Sequence, residues 1–164
     1  MDKLIIKGKQ KLKGSISVHG SKNAALPILV ATLLSNKKIV LSNIPKVDDI
    51  RNMIKLLKKY NSKITENKSN ININNKNLQN ISADYDIVRK MRASILILGP
   101  LLSRFGYAKI SLPGGCAIGT RPIDIHLDGL SKLGANFNIE NGFVVGKVKS
   151  ILIGNKIKLK FPSV

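Results

Sequence analysis

An internal repeat constrains this chain more than any other feature. Setting Asn61 against Gly134, an offset of 73 residues (134 − 61), makes Ile50, Ile54, Leu57 and Tyr60 coincide with Ile123, Leu127, Leu130 and Leu133. Lys63-Ile64 then falls on Asn136-Phe137. Repetition at this period means that one supersecondary unit is used more than once, the units burying their apolar faces on each other. Each unit reads as helix, strand, helix and hairpin. In the first, Ala24, Ala25, Ile28, Leu29, Thr32 and Leu33 recur at helical spacing behind a candidate N-cap, Ser21. Pro27 has no N–H to offer the Asn23 carbonyl, which predicts either a late helix start or a kinked first turn. A strand over 38–41 follows, then an amphipathic helix over 47–60 with Ile50, Met53, Ile54 and Leu57 on one face. Short strands around 63–65 and 71–73 form a hairpin, and 74–80 reads as loop. The second unit reads as a helix from about 86 to 104, a strand over 108–112, a helix over 122–133 and another hairpin. Leu4-Ile5-Ile6 and Ile16-Ser17-Val18 read as strand pieces. A third unit begins at Ser150-Ile151-Leu152-Ile153 and reaches Phe161-Pro162-Ser163-Val164 with no helix behind it, the pattern of a fragment. Elements in this order make an α/β class.

With 164 residues and 43% hydrophobic content, the chain can bury one core and is at the limit for two. A single cysteine excludes an internal disulfide framework, and no stretch has the form of a secretory signal, so a cytoplasmic setting is expected. The longest apolar run, 95–102, is broken by Gly99 and Pro100 and falls far short of the roughly 20 residues that span a bilayer. No membrane association is expected. The net charge of +19 would ordinarily direct attention to nucleic acid. Only five of the 28 basic residues are arginines, however, the lysines are scattered through every element, and aromatic content is 4%. Much of the charge therefore reads as solvated surface, and a nucleic-acid partner is not expected.

The chemistry-bearing feature is the run 113–122, Pro-Gly-Gly-Cys-Ala-Ile-Gly-Thr-Arg-Pro, which sets Cys116 in a glycine-rich loop five residues before Arg121. Glycines let the backbone approach a ligand closely. Pro122 suits the first position of a helix, which would put the Arg121 guanidinium beside free helical N–H groups, a combination that suits phosphate or carboxylate. The alternative is a turn holding a buried, inert thiol. Asp124, His126 and Asp128 lie on or near one helix, and a charged helical face explains them better than a metal.

Several runs carry a family resemblance: Gly20-Ser21-Lys22-Asn23-Ala24-Ala25-Leu26-Pro27-Ile28-Leu29, Lys90-Met91-Arg92-Ala93-Ser94, Leu98-Gly99-Pro100-Leu101, Arg104-Phe105-Gly106, and 111–116 through Arg121-Pro122. On these the chain resembles the N-terminal part of the UDP-N-acetylglucosamine 1-carboxyvinyltransferases, of the enolpyruvyl transferase family, over essentially all 164 positions. The resemblance implies an inside-out α/β barrel, here two repeats and the start of a third. Residues 1–21 would be a strand segment that in the family joins the C-terminal domain, and 22–164 a partial N-terminal domain. It further implies transfer of the enolpyruvyl group of phosphoenolpyruvate to the 3′-hydroxyl of UDP-N-acetylglucosamine, a step of peptidoglycan synthesis needing no cofactor and no metal. Cys116 would be the general acid at the methylene carbon, and the fosfomycin target. Lys22, Asn23 and Arg121 would hold phosphoenolpyruvate. Arg92, Arg121, Pro122, Ile123, Asp124, Ile125, Phe161, Pro162, Ser163 and Val164 would hold the nucleotide sugar. The last segment departs from the family's Lys-Val-Ser-Val-Gly pattern, reading Lys160-Phe161-Pro162-Ser163-Val164.

In the family a carboxylate for the sugar hydroxyl proton and a further phosphate-binding arginine come from the C-terminal domain, and neither has a counterpart here. A separately encoded C-terminal domain is thus a candidate partner. The competing expectation is a non-catalytic remnant, or a basic module binding anions or nucleic acid.

Overall fold

A computed structural model describes residues 3–9, 11–67, 70–82, 85–88, 91–112 and 123–159. The first unit runs α1 (Lys22–Ala31), a 3-10 turn (Thr32–Leu34), β1 (Lys38–Ser42), α2 (Asp48–Lys59), β2 (Lys63–Glu66) and β3 (Asn70–Asn74). The second runs α3 (Tyr85–Val88), a 3-10 helix (Arg92–Ile97), α4 (Leu98–Phe105), β4 (Tyr107–Ser111), α5 (Asp124–Lys132), β5 (Ala135–Glu140) and β6 (Phe143–Val148). Each unit closes an antiparallel three-stranded sheet with the same order, β1-β3-β2 and β4-β6-β5. The repeat seen in sequence is therefore a repeat of topology. Its alignment point holds at the backbone: Asn61 and Gly134 each follow the cap of the matched helix, with φ of 64° and 104°.

Side-chain alternation explains the sheets. In β3 Ile71 and Ile73 are buried while Asn70, Asn72 and Asn74 face outward, and Ile73 lies opposite Ile39 on one side and Ile64 on the other. In β6 Gly146 pairs with Phe137, whose ring covers the glycine so closely that a Cβ there would meet Phe137 Cε1 at 2.7 Å. On α2 the apolar stripe Ile50, Met53, Ile54 and Leu57 is fully buried, and Leu56 joins it. On α5 the matched residues Ile123, Leu127 and Leu130 are only half-buried. One contiguous core links the units, with α1 packed on α2 and on the 3-10 helix Arg92–Ile97, and α4 on the turn Thr32–Leu34.

Two local expectations change, one of two alternatives for α1 falls away, and the loop after β3 holds. The helix over 86–104 is broken, because Met91 is extended at φ −153°, ψ 117° and Pro100 clashes with a preceding turn unless it sits near a helix start; α4 accordingly begins at Leu98. Ser94, fully buried, donates across the break to Met91 O at 2.7 Å. Helix α1 does not start late: it begins at Lys22, with Ser21 accepting from Ala24 N at 3.4 Å, and continues through Pro27. Its buried face is Ala25, Leu26, Leu29 and Val30, leaving Ile28 exposed. The terminal strand pieces do not form: no strand occurs in residues 3–9 or 11–20, nor in 150–159. Leu4, Ile5, Ile6, Ile16 and Val18 are all exposed, since a single strand is not stable where no sheet edge receives it. Finally, 75–80 is anchored loop: Asn75 is fully buried and donates to Thr32 O at 2.7 Å, and Gln79 N donates to Tyr60 O.

Candidate functional site

Lys22 is the first residue of α1, where the chain is pinned from two directions. Gly20 N donates to Asn43 Oδ1 at 3.1 Å, and a Cβ on Gly20 would collide with the Asn43 carbonyl oxygen, so only glycine fits. Two residues on, Lys22 Nζ pairs with Asp49 Oδ2 at 2.7 Å, the two side chains 47% and 36% exposed. The segment entering α1 and the segment entering α2 are thus bridged twice. Nothing in the sequence singles out Asp49, since adjacent acids opening a helix look like charges answering its dipole. Among the described residues Asp48 makes a local bond, to Arg51 at 3.0 Å, whereas Asp49 reaches across.

Asn23 follows Lys22 on α1 with its side chain exposed. Arg92 opens the 3-10 helix that packs on α1 and α2, so the elements bearing Lys22, Asp49 and Arg92 adjoin. Ile123 caps α5 by position, without a side-chain bond, and Asp124 and Ile125 are its first two residues. His126, one residue further, lies near the main chain of Ile95 in that 3-10 helix. Burial holds its imidazole below the ordinary histidine range, partly opposed by the Ile95 main chain. Its Nε2 is buried without a hydrogen-bond partner among the described residues. Cys116, Arg121, Pro122, Phe161, Pro162, Ser163 and Val164 lie outside the described residues. Cys116 falls in sequence between β4, ending at Ser111, and α5, starting at Asp124, the interval that corresponds to 43–47 between β1 and α2. Among the described residues no cluster of three metal-ligating side chains occurs, and no helix is long and apolar enough to cross a membrane.

Residues 6–164 match the family model for EPSP synthase (3-phosphoshikimate 1-carboxyvinyltransferase). The chain is 57% identical over 164 residues to the UDP-N-acetylglucosamine 1-carboxyvinyltransferase of Pelagibacter ubique, covering 100% of this chain and 39% of the relative. It is 51% identical over 160 residues to the protein of that name from Coxiella burnetii, covering 97% and 37%. The chain therefore spans about two-fifths of the length of these relatives. Among solved structures, the enolpyruvyl transferase NikO from Streptomyces tendae superposes with a TM-score of 0.73 at 16% identity, over 88% of this chain and 32% of that one. EPSP synthase from Acinetobacter baumannii follows with 0.56 at 18% identity, over 77% and 31%. These likenesses show the inside-out α/β barrel fold of which the paired helix-strand-helix-hairpin units are the building blocks. With the family model matched across almost its whole length and relatives identical at half its positions, this chain belongs to the enolpyruvyl (carboxyvinyl) transferase family.

Proposed function

We propose that this chain supplies one side of a site that transfers the enolpyruvyl group of phosphoenolpyruvate to the 3′-hydroxyl of UDP-N-acetylglucosamine, releasing phosphate, in cytoplasmic peptidoglycan synthesis. The observation that carries the reading is identity of 51–57% along nearly the whole chain to relatives named for that reaction. The position of Lys22 at the opening of α1 is compatible with it, an ammonium beside helical N–H groups being suited to a phosphate. In this reading Lys22, Asn23 and Arg121 hold phosphoenolpyruvate. Arg92, the segment 121–125 and the segment 161–164 hold the nucleotide sugar.

Cys116 gives its proton to the methylene carbon of phosphoenolpyruvate, and the sugar oxygen bonds to C2 as its hydroxyl proton leaves. Loss of a methyl proton and of phosphate then restores the enol double bond, so no electrons are gained or lost. Cationic neighbours favour a thiolate, whereas a donor must keep its proton; the bound phosphate dianion offsets Lys22 and Arg121, coupling protonation to binding. Residues 1–21 belong, in this reading, to the sheet of a second domain that completes the cleft, carried on this or another polypeptide.

The test is phosphate release from the two substrates by wild type and Cys116→Ser, with and without a co-expressed C-terminal domain. Release requiring both the thiol and the second domain is the expected result. Release that persists in Cys116→Ser, or none in any pairing, would overturn the proposal.

A further inference from the structure

Lys22 sits where physics disfavours a cation. The first turn of α1 contains no acidic residue, and the unpaired N–H groups there make a positive end that repels an ammonium. A lysine stem has four rotatable carbons, so an unopposed Lys22 would swing away from that end into water. Instead its Nζ is fixed 2.7 Å from Asp49 Oδ2. The carboxylate comes from the first turn of α2, and the Gly20–Asn43 bond holds the same two segments in register immediately before it.

We infer that Asp49 is a positioning residue that aims Lys22 at the mouth of α1, taking one of its three N–H donors and leaving two for an incoming phosphate. This inference rests on the proposed transferase reading for the identity of the phosphate, and on the ion pair alone for the aiming. Asp49 does not touch the substrate; it keeps the ammonium from reorganising when substrate arrives. Because the pair is half-exposed, its removal weakens phosphate binding only modestly, by about two- to five-fold.

The experiment uses the full chain together with the co-expressed C-terminal domain, with Asp49→Ala, Asp49→Asn, Lys22→Ala and the double variant Asp49→Ala/Lys22→Ala. Two readouts are taken: the 1H–15N signal of the Lys22 ammonium, assigned by its loss in Lys22→Ala, and calorimetric affinities for phosphoenolpyruvate and UDP-N-acetylglucosamine. Expected are a Lys22 signal broadened away in Asp49→Ala and retained in Asp49→Asn, whose amide oxygen still accepts. Phosphoenolpyruvate affinity should fall two- to five-fold in Asp49→Ala, stay within two-fold in Asp49→Asn, and fall no further when Asp49→Ala is added to Lys22→Ala. Affinity for the nucleotide sugar should not move, whereas a merely structural role would weaken both ligands together. An unchanged Lys22 signal in Asp49→Ala, or an equal loss with and without Lys22, would overturn the aiming. A wild type whose Lys22 signal depends on Asp49 but which binds no phosphoenolpyruvate even with the C-terminal domain present would overturn the transferase reading and uphold the aiming.

Discussion

Arg104 Nη2 donates to the main-chain oxygen of Asn75 at 2.9 Å, joining α4 of the second unit to the end of β3 in the first. The same guanidinium reaches Leu33 O at 2.8 Å and Ser35 O at 3.4 Å through Nη1. Asn75 in turn donates its side chain to Thr32 O. The carbonyls left over where the first unit's helix and sheet end are thus collected by one planar, multiply donating group, a geometry that lysine cannot reproduce.

Arg104→Ala should destabilise the chain by about 2 kcal/mol, since hydrogen bonds to a charged donor are lost and partly buried acceptors remain. Arg104→Lys should recover less than half. Urea unfolding checks both, and a loss below about 0.5 kcal/mol would mean that water replaces the guanidinium at no cost.

Ser94 closes the break between α3 and α4 from a fully buried position, donating to Met91 O at 2.7 Å and lying 3.2 Å from Val88 O. The two carbonyls also accept main-chain bonds, from Ser94 N and Met91 N, so neither is orphaned when the hydroxyl goes. Ser94→Ala should therefore cost only about 1 kcal/mol, seen as a fall in Tm of about 2–4 °C for a chain of this size.

These two bonds also mark where sequence reasoning stops. The duplicated units, the buried stripe of α2 and the matching of Asn61 with Gly134 are readable because periodicity and a positive-φ helix stop are local properties. The 86–104 segment misleads because Ile95, Leu98, Leu101 and Leu102 keep a helical pattern while Met91 and Pro100 impose a break that only a buried hydroxyl makes tolerable. Arg104, 29 residues from Asn75 and 71 from Leu33, serves a contact that no window can see. The same holds at the candidate site. Lys22 stands out by its motif, but its partner Asp49 lies 27 residues away in the chain (49 − 22) and resembles any other helix-opening acid.

Gly20→Ala tests how firmly the entry to α1 is held. The added methyl would strike main-chain oxygen rather than the mobile end of a side chain, so the segment must shift and the Gly20–Asn43 bond with it. Overpacking of this kind costs about 1–3 kcal/mol. Because Lys22 is two residues away, the variant should lose both stability in urea and phosphoenolpyruvate affinity. An alanine accepted without change in either would show that the approach of Gly20 to Asn43 is not required.

The acid side of the stability profile should depend on His126. Burial lowers its pKa in the folded chain, whereas the unfolded chain titrates near 6.5. Below that pH the unfolded state binds the proton more readily than the folded state, so unfolding takes up protons and stability falls as pH drops from 6.5 through the lowered folded-state value. Above about pH 7 the imidazole is neutral in both states and contributes no slope. His126→Gln cannot take up the proton, and should flatten the part of the urea-midpoint profile between pH 7 and 5. Profiles for wild type and variant that run parallel through this range would show that other groups govern the acid limb.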